Sequence, residues 1–156
     1  MKKIQITLQQ LQSENDIWNA VSNVAIEHVF PTNEPLLDEL SILVLYFNEM
    51  ESGGHEAVLT WTSEAIEQLG FPRYLASLTA TLEKIGALEL AKMERKYAPL
   101  YWPLYHQLEA GEINEDSFYS VIHPADAIYY KHNDQLNLLV MQYFLSIYKQ
   151  LFEIKK

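Results

Sequence analysis

The sequence LLDELSILVLYFNEMESGGHEAVLTW, residues 36–61, combines an apolar helix, a pair of glycines and the start of a second helix. Residues 36–50 place apolar side chains on more than one helical stripe. We therefore expect a central helix that neighbouring helices cover on most sides. Gly53 and Gly54 predict its end, because glycine readily adopts the left-handed conformation that closes a helix.

Helical patterns continue on both sides of this stretch. The capping residues in Ser13–Asp16 predict the start of an earlier helix, and Phe30–Pro31 predicts its end. After the glycine pair, helical spacing predicts an apolar face built from Val58, Trp61, Ala65 and Leu69.

Prolines divide the C-terminal half of the chain. Pro99 and Pro103 predict a kink or break, because proline lacks the N–H that an interior helical residue donates. Pro124 predicts the start of a further helix, and Asn133 predicts the cap of the last one.

Length and composition predict one domain. The 156 residues are 49% apolar, which is enough for a substantial core. We expect a single all-α domain over residues 1–156, with a short strand or extended arm at 1–12 and a compact bundle of six to eight helices at 13–156. The chain has no cysteine, which excludes disulfides, thiolate metal sites and cysteine nucleophiles. No apolar run approaches the roughly 20 residues of a membrane span, so we expect a soluble, cytoplasmic protein.

The net charge of −10 is distributed unevenly. Residues 1–72 carry eleven carboxylates and two lysines, whereas residues 73–156 carry ten acids and nine bases. This asymmetry argues against direct binding of nucleic acid or of anionic membranes.

Motifs for catalysis or metal binding do not occur in the sequence. The five histidines include no His-Glu-x-x-His and no Glu-x-x-His spacing, and no Gly-x-Ser-x-Gly is present. Ser52, Gly53 and Gly54 resemble an anion nest, but Glu49 and Glu56 would repel phosphate there. We therefore predict no catalytic residue, no metal site and no cofactor.

Four aromatic residues lie close to Pro99 and Pro103. They allow two interpretations: an aromatic surface for a partner, or amphipathic side chains that seal the edge of a helical core. The four are Tyr97, Tyr101, Trp102 and Tyr105.

The run Tyr46–His55, with its Ser52-Gly53-Gly54-His55 motif, resembles the Asn-Gly-Gly signature of a small bacterial all-helical family of largely unknown function, one member of which is a DNA mimic. Leu82–Ala87 and Asp116–Tyr119 are similar to two further elements of that family. The chain differs at Ser52, where the family usually has asparagine, and at His55, where it usually has an aromatic residue. The resemblance implies a helical fold, a cytoplasmic location and a homodimer.

The leading hypothesis is a non-enzymatic acidic binding protein that acts as a DNA mimic on a basic DNA-binding protein. Duplex DNA presents about one negative charge per 1.7 Å of axis, and carboxylates on adjacent helices could present a comparable array. The candidate partner-binding residues are the nine acids of residues 27–67, a segment without lysine or arginine: Glu27, Glu34, Asp38, Glu39, Glu49, Glu51, Glu56, Glu64 and Glu67.

Two alternatives remain open at this point. One is an immunity-type or antitoxin-type inhibitor of a basic toxin or nuclease, which predicts a smaller patch of mixed acidic and aromatic residues. The other is an enzyme with an unrecognised active site, which predicts a closed pocket with converging polar side chains. A DNA mimic predicts acids on one continuous face.

Overall fold

A computed structural model describes residues 1–155 and confirms the all-α class. This part of the chain contains five α-helices, so the prediction of six to eight helices is wrong. In chain order the elements are strand β1 (Ile4–Ile6), a 3-10 helix (Leu8–Leu11), helices α1 (Glu14–Glu27), α2 (Pro35–Leu69), α3 (Phe71–Ile85), α4 (Leu88–Glu109) and α5 (Glu115–Leu151), and strand β2 (Phe152–Ile154).

The start of α1 agrees with the predicted cap. The Ser13 side chain accepts a hydrogen bond from the Asp16 N–H, and the Asp16 carboxylate accepts one from the Ser13 N–H. This reciprocal pair satisfies two backbone donors that a helix start otherwise leaves free.

The N-terminal segment of α2 is the centre of the bundle, as its apolar pattern predicts. Leu40, Ile42, Leu43 and Val44 are all at most 1% exposed. At about 100° per residue they point about 0°, 200°, 300° and 40° around the helix axis, so they surround it. The segment therefore packs on nearly all sides, with α1, α3 and α5 as neighbours.

The glycine pair interrupts the helical geometry of α2, as predicted, and produces a kink between two helical segments. Gly53 and Gly54 have non-helical backbone angles, and the helix resumes at His55. Gly54 has φ +70° and ψ −161°, a conformation that is essentially restricted to glycine. A Cβ atom at Gly54 would also lie 2.7 Å from a carboxylate oxygen of Asp126 on α5.

The kink sets the rotation of the C-terminal segment of α2. This segment buries His55, Val58, Thr62 and Ile66. Trp61 lies outside that face and is 75% exposed, so the predicted packing of Trp61 beside Val58 is wrong.

The prolines neither break α4 nor start a new helix at Pro124, so those two expectations are wrong. α4 runs through Pro99 and Pro103, and α5 runs through Pro124. An interior proline costs about 3 kcal/mol through its lost hydrogen bond and ring clash. Both helices offset this cost by burial, since α4 and α5 pack extensively on each other.

The two chain ends pair with each other. β1 and β2 form a two-stranded parallel sheet in which Ile4 lies opposite Phe152 and Ile6 opposite Ile154. The predicted N-terminal strand therefore has a partner almost 150 residues away, which no local pattern indicates.

None of the helices within residues 1–155 has both the length and the apolar content that crossing a membrane requires.

We predict that Gly54→Ala lowers the free energy of unfolding by about 3 kcal/mol or more, because it adds backbone strain and a contact with Asp126. Gly111→Ala is the matched control, since Gly111 also has positive φ (73°) but has open space at its Cβ position. It should cost only about 1 kcal/mol. Urea denaturation of both variants measures the difference, and equal losses would contradict the steric role of Asp126.

Candidate functional site

The kink of α2 places His55 between two acidic side chains from other helices. The Nδ1 atom of His55 lies 2.6 Å from Oδ1 of Asp126, on α5. Its Nε2 atom lies 2.7 and 2.8 Å from the two carboxylate oxygens of Glu94, on α4. We call His55, Glu94 and Asp126 the buried centre.

The same aspartate also starts the second segment of α2. Its Oδ1 atom accepts a hydrogen bond of 2.9 Å from the backbone N–H of His55, the residue at which helical geometry resumes. Asp126 therefore acts as a helix cap supplied by a neighbouring helix. The close approach that this cap requires explains why Gly54 has no side chain.

Two tyrosines donate further hydrogen bonds to Glu94. The hydroxyl of Tyr46, from the N-terminal segment of α2, donates to one carboxylate oxygen at 3.1 Å. The hydroxyl of Tyr101, about two helical turns after Glu94 on α4, donates to the other carboxylate oxygen at 3.2 Å. Glu94 thus accepts hydrogen bonds from three donors, the shared Nε2–H of His55 and the two hydroxyls, while being fully buried.

The buried centre favours a protonated histidine. An ionised carboxylate can only accept hydrogen bonds, so both ring nitrogens of His55 must donate if both acids are charged. Burial lowers the pKa of His55, but the charge of Glu94 and the hydrogen bonds to Asp126 and Glu94 outweigh it and raise the pKa to about 9. Burial and the charge of Glu94 also raise the pKa of Tyr46 and Tyr101 well above their usual range, so both hydroxyls stay donors.

This arrangement is suited to holding helices together and poorly suited to catalysis. The side chains of His55 and Glu94 are 0% exposed, and that of Asp126 is 20% exposed. A histidine that donates from both nitrogens has no lone pair for a proton or a metal ion. Within residues 1–155, no group of three or more histidine, aspartate or glutamate residues has the geometry to hold a metal ion.

The four aromatic residues near the prolines of α4 lie at the edge of the core. Tyr101 is 3% exposed and binds Glu94, while Trp102 stacks on Phe71 of α3 with 5.1 Å between ring centroids. Tyr97 and Tyr105 are partly buried. Of the two interpretations, these contacts favour the structural one.

Two of the nine candidate acids, Asp38 and Glu39, form contacts within the molecule near the start of α2. Glu39 forms an ion pair with Lys84 at 2.9 Å and accepts a hydrogen bond from the Tyr143 hydroxyl. Asp38 accepts the Thr32 N–H at 2.7 Å. Asp38 and Glu39 also line a shallow cleft of about 380 Å³ together with a base, Arg73.

Within the part of the chain that the structure describes, three other candidate acids form no side-chain hydrogen bond or close ion pair of this kind. Glu34 lies 3.9 Å from the N-terminal amine, and Glu27 is exposed at the end of α1. Glu49 is half-buried, and burial raises its pKa.

The remaining four candidates surround or follow the kink. Glu51 is exposed and accepts a hydrogen bond from Asn133. Glu56, Glu64 and Glu67 are all exposed on the C-terminal segment of α2, opposite the face that buries His55. At 100° per residue these three directions span about 80°, so they share one face of the helix. We call this the acidic face.

The motif residues divide between surface and interior. Ser52 and Gly53 are exposed, whereas Gly54 and His55 are buried. The motif therefore forms the kink of α2, and its last residue, His55, belongs to the buried centre.

Sequence reasoning missed Glu94 and Asp126. Glu94 lies among the basic residues Lys92, Arg95 and Lys96, which suggests a solvated surface. One signal was available: Glu94 follows Leu90 by four residues and precedes Ala98 by four, so it lies on the apolar stripe of α4. A charged residue on such a stripe needs a buried partner.

No protein-family model matches the chain, and searches of curated proteins and of solved structures found no match. The resemblance of Tyr46–His55 to the family that includes a DNA mimic therefore stays a prediction, and function has to be argued from the chain's own residues.

We predict that the protein loses stability as pH rises from about 6.5 to 9. The pKa of His55 is about 9 in the folded chain and 6.5 as a model value, so the proton stabilises the fold fully below pH 6.5 and is lost as pH passes 9. The difference corresponds to about 3 kcal/mol. Urea denaturation at several pH values measures it, with His55→Leu as a control that should lack this pH dependence. A wild-type curve that stays flat over this range would contradict the assignment.

We predict that His55→Leu lowers the free energy of unfolding by about 3–5 kcal/mol, because it leaves the ionised Glu94 buried without a cation. Adding Glu94→Leu should recover part of the loss, since the unpaired charge is then removed. His123→Leu is the control at an exposed histidine and should change stability little. Thermal and urea denaturation compare the variants; a double variant less stable than His55→Leu alone would refute this explanation.

Proposed function

We propose that this chain is a non-enzymatic acidic protein that binds a basic protein partner, at the surface by which that partner binds DNA. The observation that carries the proposal is the run of nine acids without lysine or arginine in residues 27–67, three of which form the acidic face. A patch of one charge sign attracts a basic protein over several ångströms and accelerates association.

The acidic face belongs to a rigid element, which supports a role in recognition. The helix that carries Glu56, Glu64 and Glu67 is capped by Asp126 and anchored through His55. Carboxylates on an anchored helix present a fixed spacing to a partner, so less conformational entropy is lost on binding.

The charge density of this face limits how far mimicry can rest on α2 alone. From Glu56 to Glu67 the helix extends about 16 Å and carries three charges, whereas duplex DNA carries about one per 1.7 Å. A DNA mimic therefore needs carboxylates from neighbouring elements. Glu115 on α5 is one candidate, because it lies near Glu56. The pKa of Tyr119 is raised first by its hydrogen bond to Glu56, then by burial, and then by the charges of Glu56 and Glu115.

An inhibitor of a basic toxin or nuclease is the second candidate function. The observation in its favour is Trp61, which is 75% exposed beside the acidic face. An exposed tryptophan next to carboxylates is the mixed acidic and aromatic patch expected of an inhibitor. An enzyme receives less support, because the polar side chains that converge do so inside the buried centre, where substrate has no access. The cytoplasmic location and the homodimer stay predictions.

We predict that the immobilised protein retains a basic partner from the lysate of its source cells at low salt and releases it at high salt. The variant Glu56→Gln/Glu64→Gln/Glu67→Gln should release that partner at lower salt than the wild type. The control Glu89→Gln/Glu109→Gln/Glu112→Gln changes the net charge equally at exposed positions outside residues 27–67 and should behave like the wild type. Mass spectrometry identifies the retained protein.

Competition with duplex DNA separates the two candidate functions. Displacement of the partner by DNA supports mimicry, and a partner that DNA does not displace supports an inhibitor. Retention that depends neither on salt nor on the three acidic-face residues would contradict the proposal.

A further inference from the structure

The exposure of Trp61 is the feature of this surface that packing does not explain. Its side chain is 75% exposed, although tryptophan is among the largest apolar side chains. Helical geometry places Trp61 about 60° from Glu64, one turn away, so the indole and this carboxylate are neighbours on the surface.

The surroundings of Trp61 carry negative charge and no lysine or arginine from its own helix. Glu64 is the adjacent acid, while Glu67 and Glu56 lie about 120° and 140° from Trp61, at the far edge of the exposed side. Helix α2 contains no basic side chain besides His55, which is buried. Contacts from the neighbouring helices are modest: Tyr119 donates to Glu56 at 3.0 Å, and His106 lies 3.4 Å from Glu67.

These two properties select the chemistry of a partner. A nucleic acid or an anionic membrane would meet like charge. A second copy docking through this same face would place carboxylates against carboxylates. A cationic side chain can satisfy both features at once, because it pairs with a carboxylate and is attracted to the face of an indole. Arginine fits better than lysine, since its planar guanidinium stacks on aromatic rings and binds carboxylates with two parallel hydrogen bonds.

We propose that the exposed face of the C-terminal segment of α2 is a docking site for an arginine-rich segment of a partner protein, with Trp61 as its aromatic anchor and Glu64 as its nearest carboxylate. This inference rests on the proposed function, which requires a basic partner, and adds where that partner docks and which side chain it inserts.

The test uses an oligo-arginine peptide as the probe and the full chain, labelled with ¹⁵N. Titration at low salt should shift the indole N–H resonance of Trp61 and the backbone amides of residues 56–68. An oligo-lysine peptide of equal length should bind more weakly, because lysine offers no planar group to stack on the indole.

Substitutions separate the aromatic anchor from general charge attraction. Trp61→Ala should weaken oligo-arginine binding by about 2- to 5-fold, Trp61→Phe should weaken it less, and Glu64→Gln should also weaken it. Leu138→Ala, at an exposed leucine of α5, is the control and should leave affinity unchanged. Trp61 is exposed, so its replacement should leave the far-ultraviolet circular dichroism spectrum and the melting temperature unaltered.

The outcomes distinguish this inference from the proposed function. Binding that is equally tight to the wild type and Trp61→Ala, with shifts outside residues 56–68, would overturn the docking site while leaving an acidic binding protein intact. No binding of either peptide to the wild type at low salt would overturn both.

Discussion

A carboxylate without access to water is the constraint around which this protein is arranged. Glu94 is fully buried, and an ion removed from water is tolerated only when charge and hydrogen bonds compensate it. His55 supplies the charge, and Tyr46 and Tyr101 supply hydrogen bonds. Because these residues come from both segments of α2 and from α4, the compensation of one charge fixes how those elements meet.

The buried centre also determines which residues face the solvent. Asp126 accepts both the ring and the backbone N–H of His55, so the helix after the kink can resume in only one rotation. With His55 inside, Trp61 and the carboxylates of the acidic face lie outside. The feature that stabilises the fold thereby sets the surface on which the proposed function depends.

Local sequence patterns predicted much of this fold. The apolar periodicity of residues 36–50 indicated the central helix, and the glycine pair indicated the interruption after it. The sequence could not indicate that Glu94 and Asp126 meet His55, since they are 39 and 71 residues away. It also could not give the rotation of the helix after Gly54, because that depends on the same long-range contacts. The prolines of α4 and α5 led to a wrong prediction of helix ends, because tertiary packing outweighs the local cost of a proline inside a helix.

The protonation state of His55 tests the central claim most directly. In a ¹H–¹⁵N correlation spectrum of the histidine rings, recorded on the folded protein at pH 7, both Nδ1 and Nε2 of His55 should carry a proton, and they should keep both protons until the pH approaches 9. A neutral ring at pH 7, with one protonated and one unprotonated nitrogen, would contradict the account of a buried cation that holds Glu94 and Asp126 together.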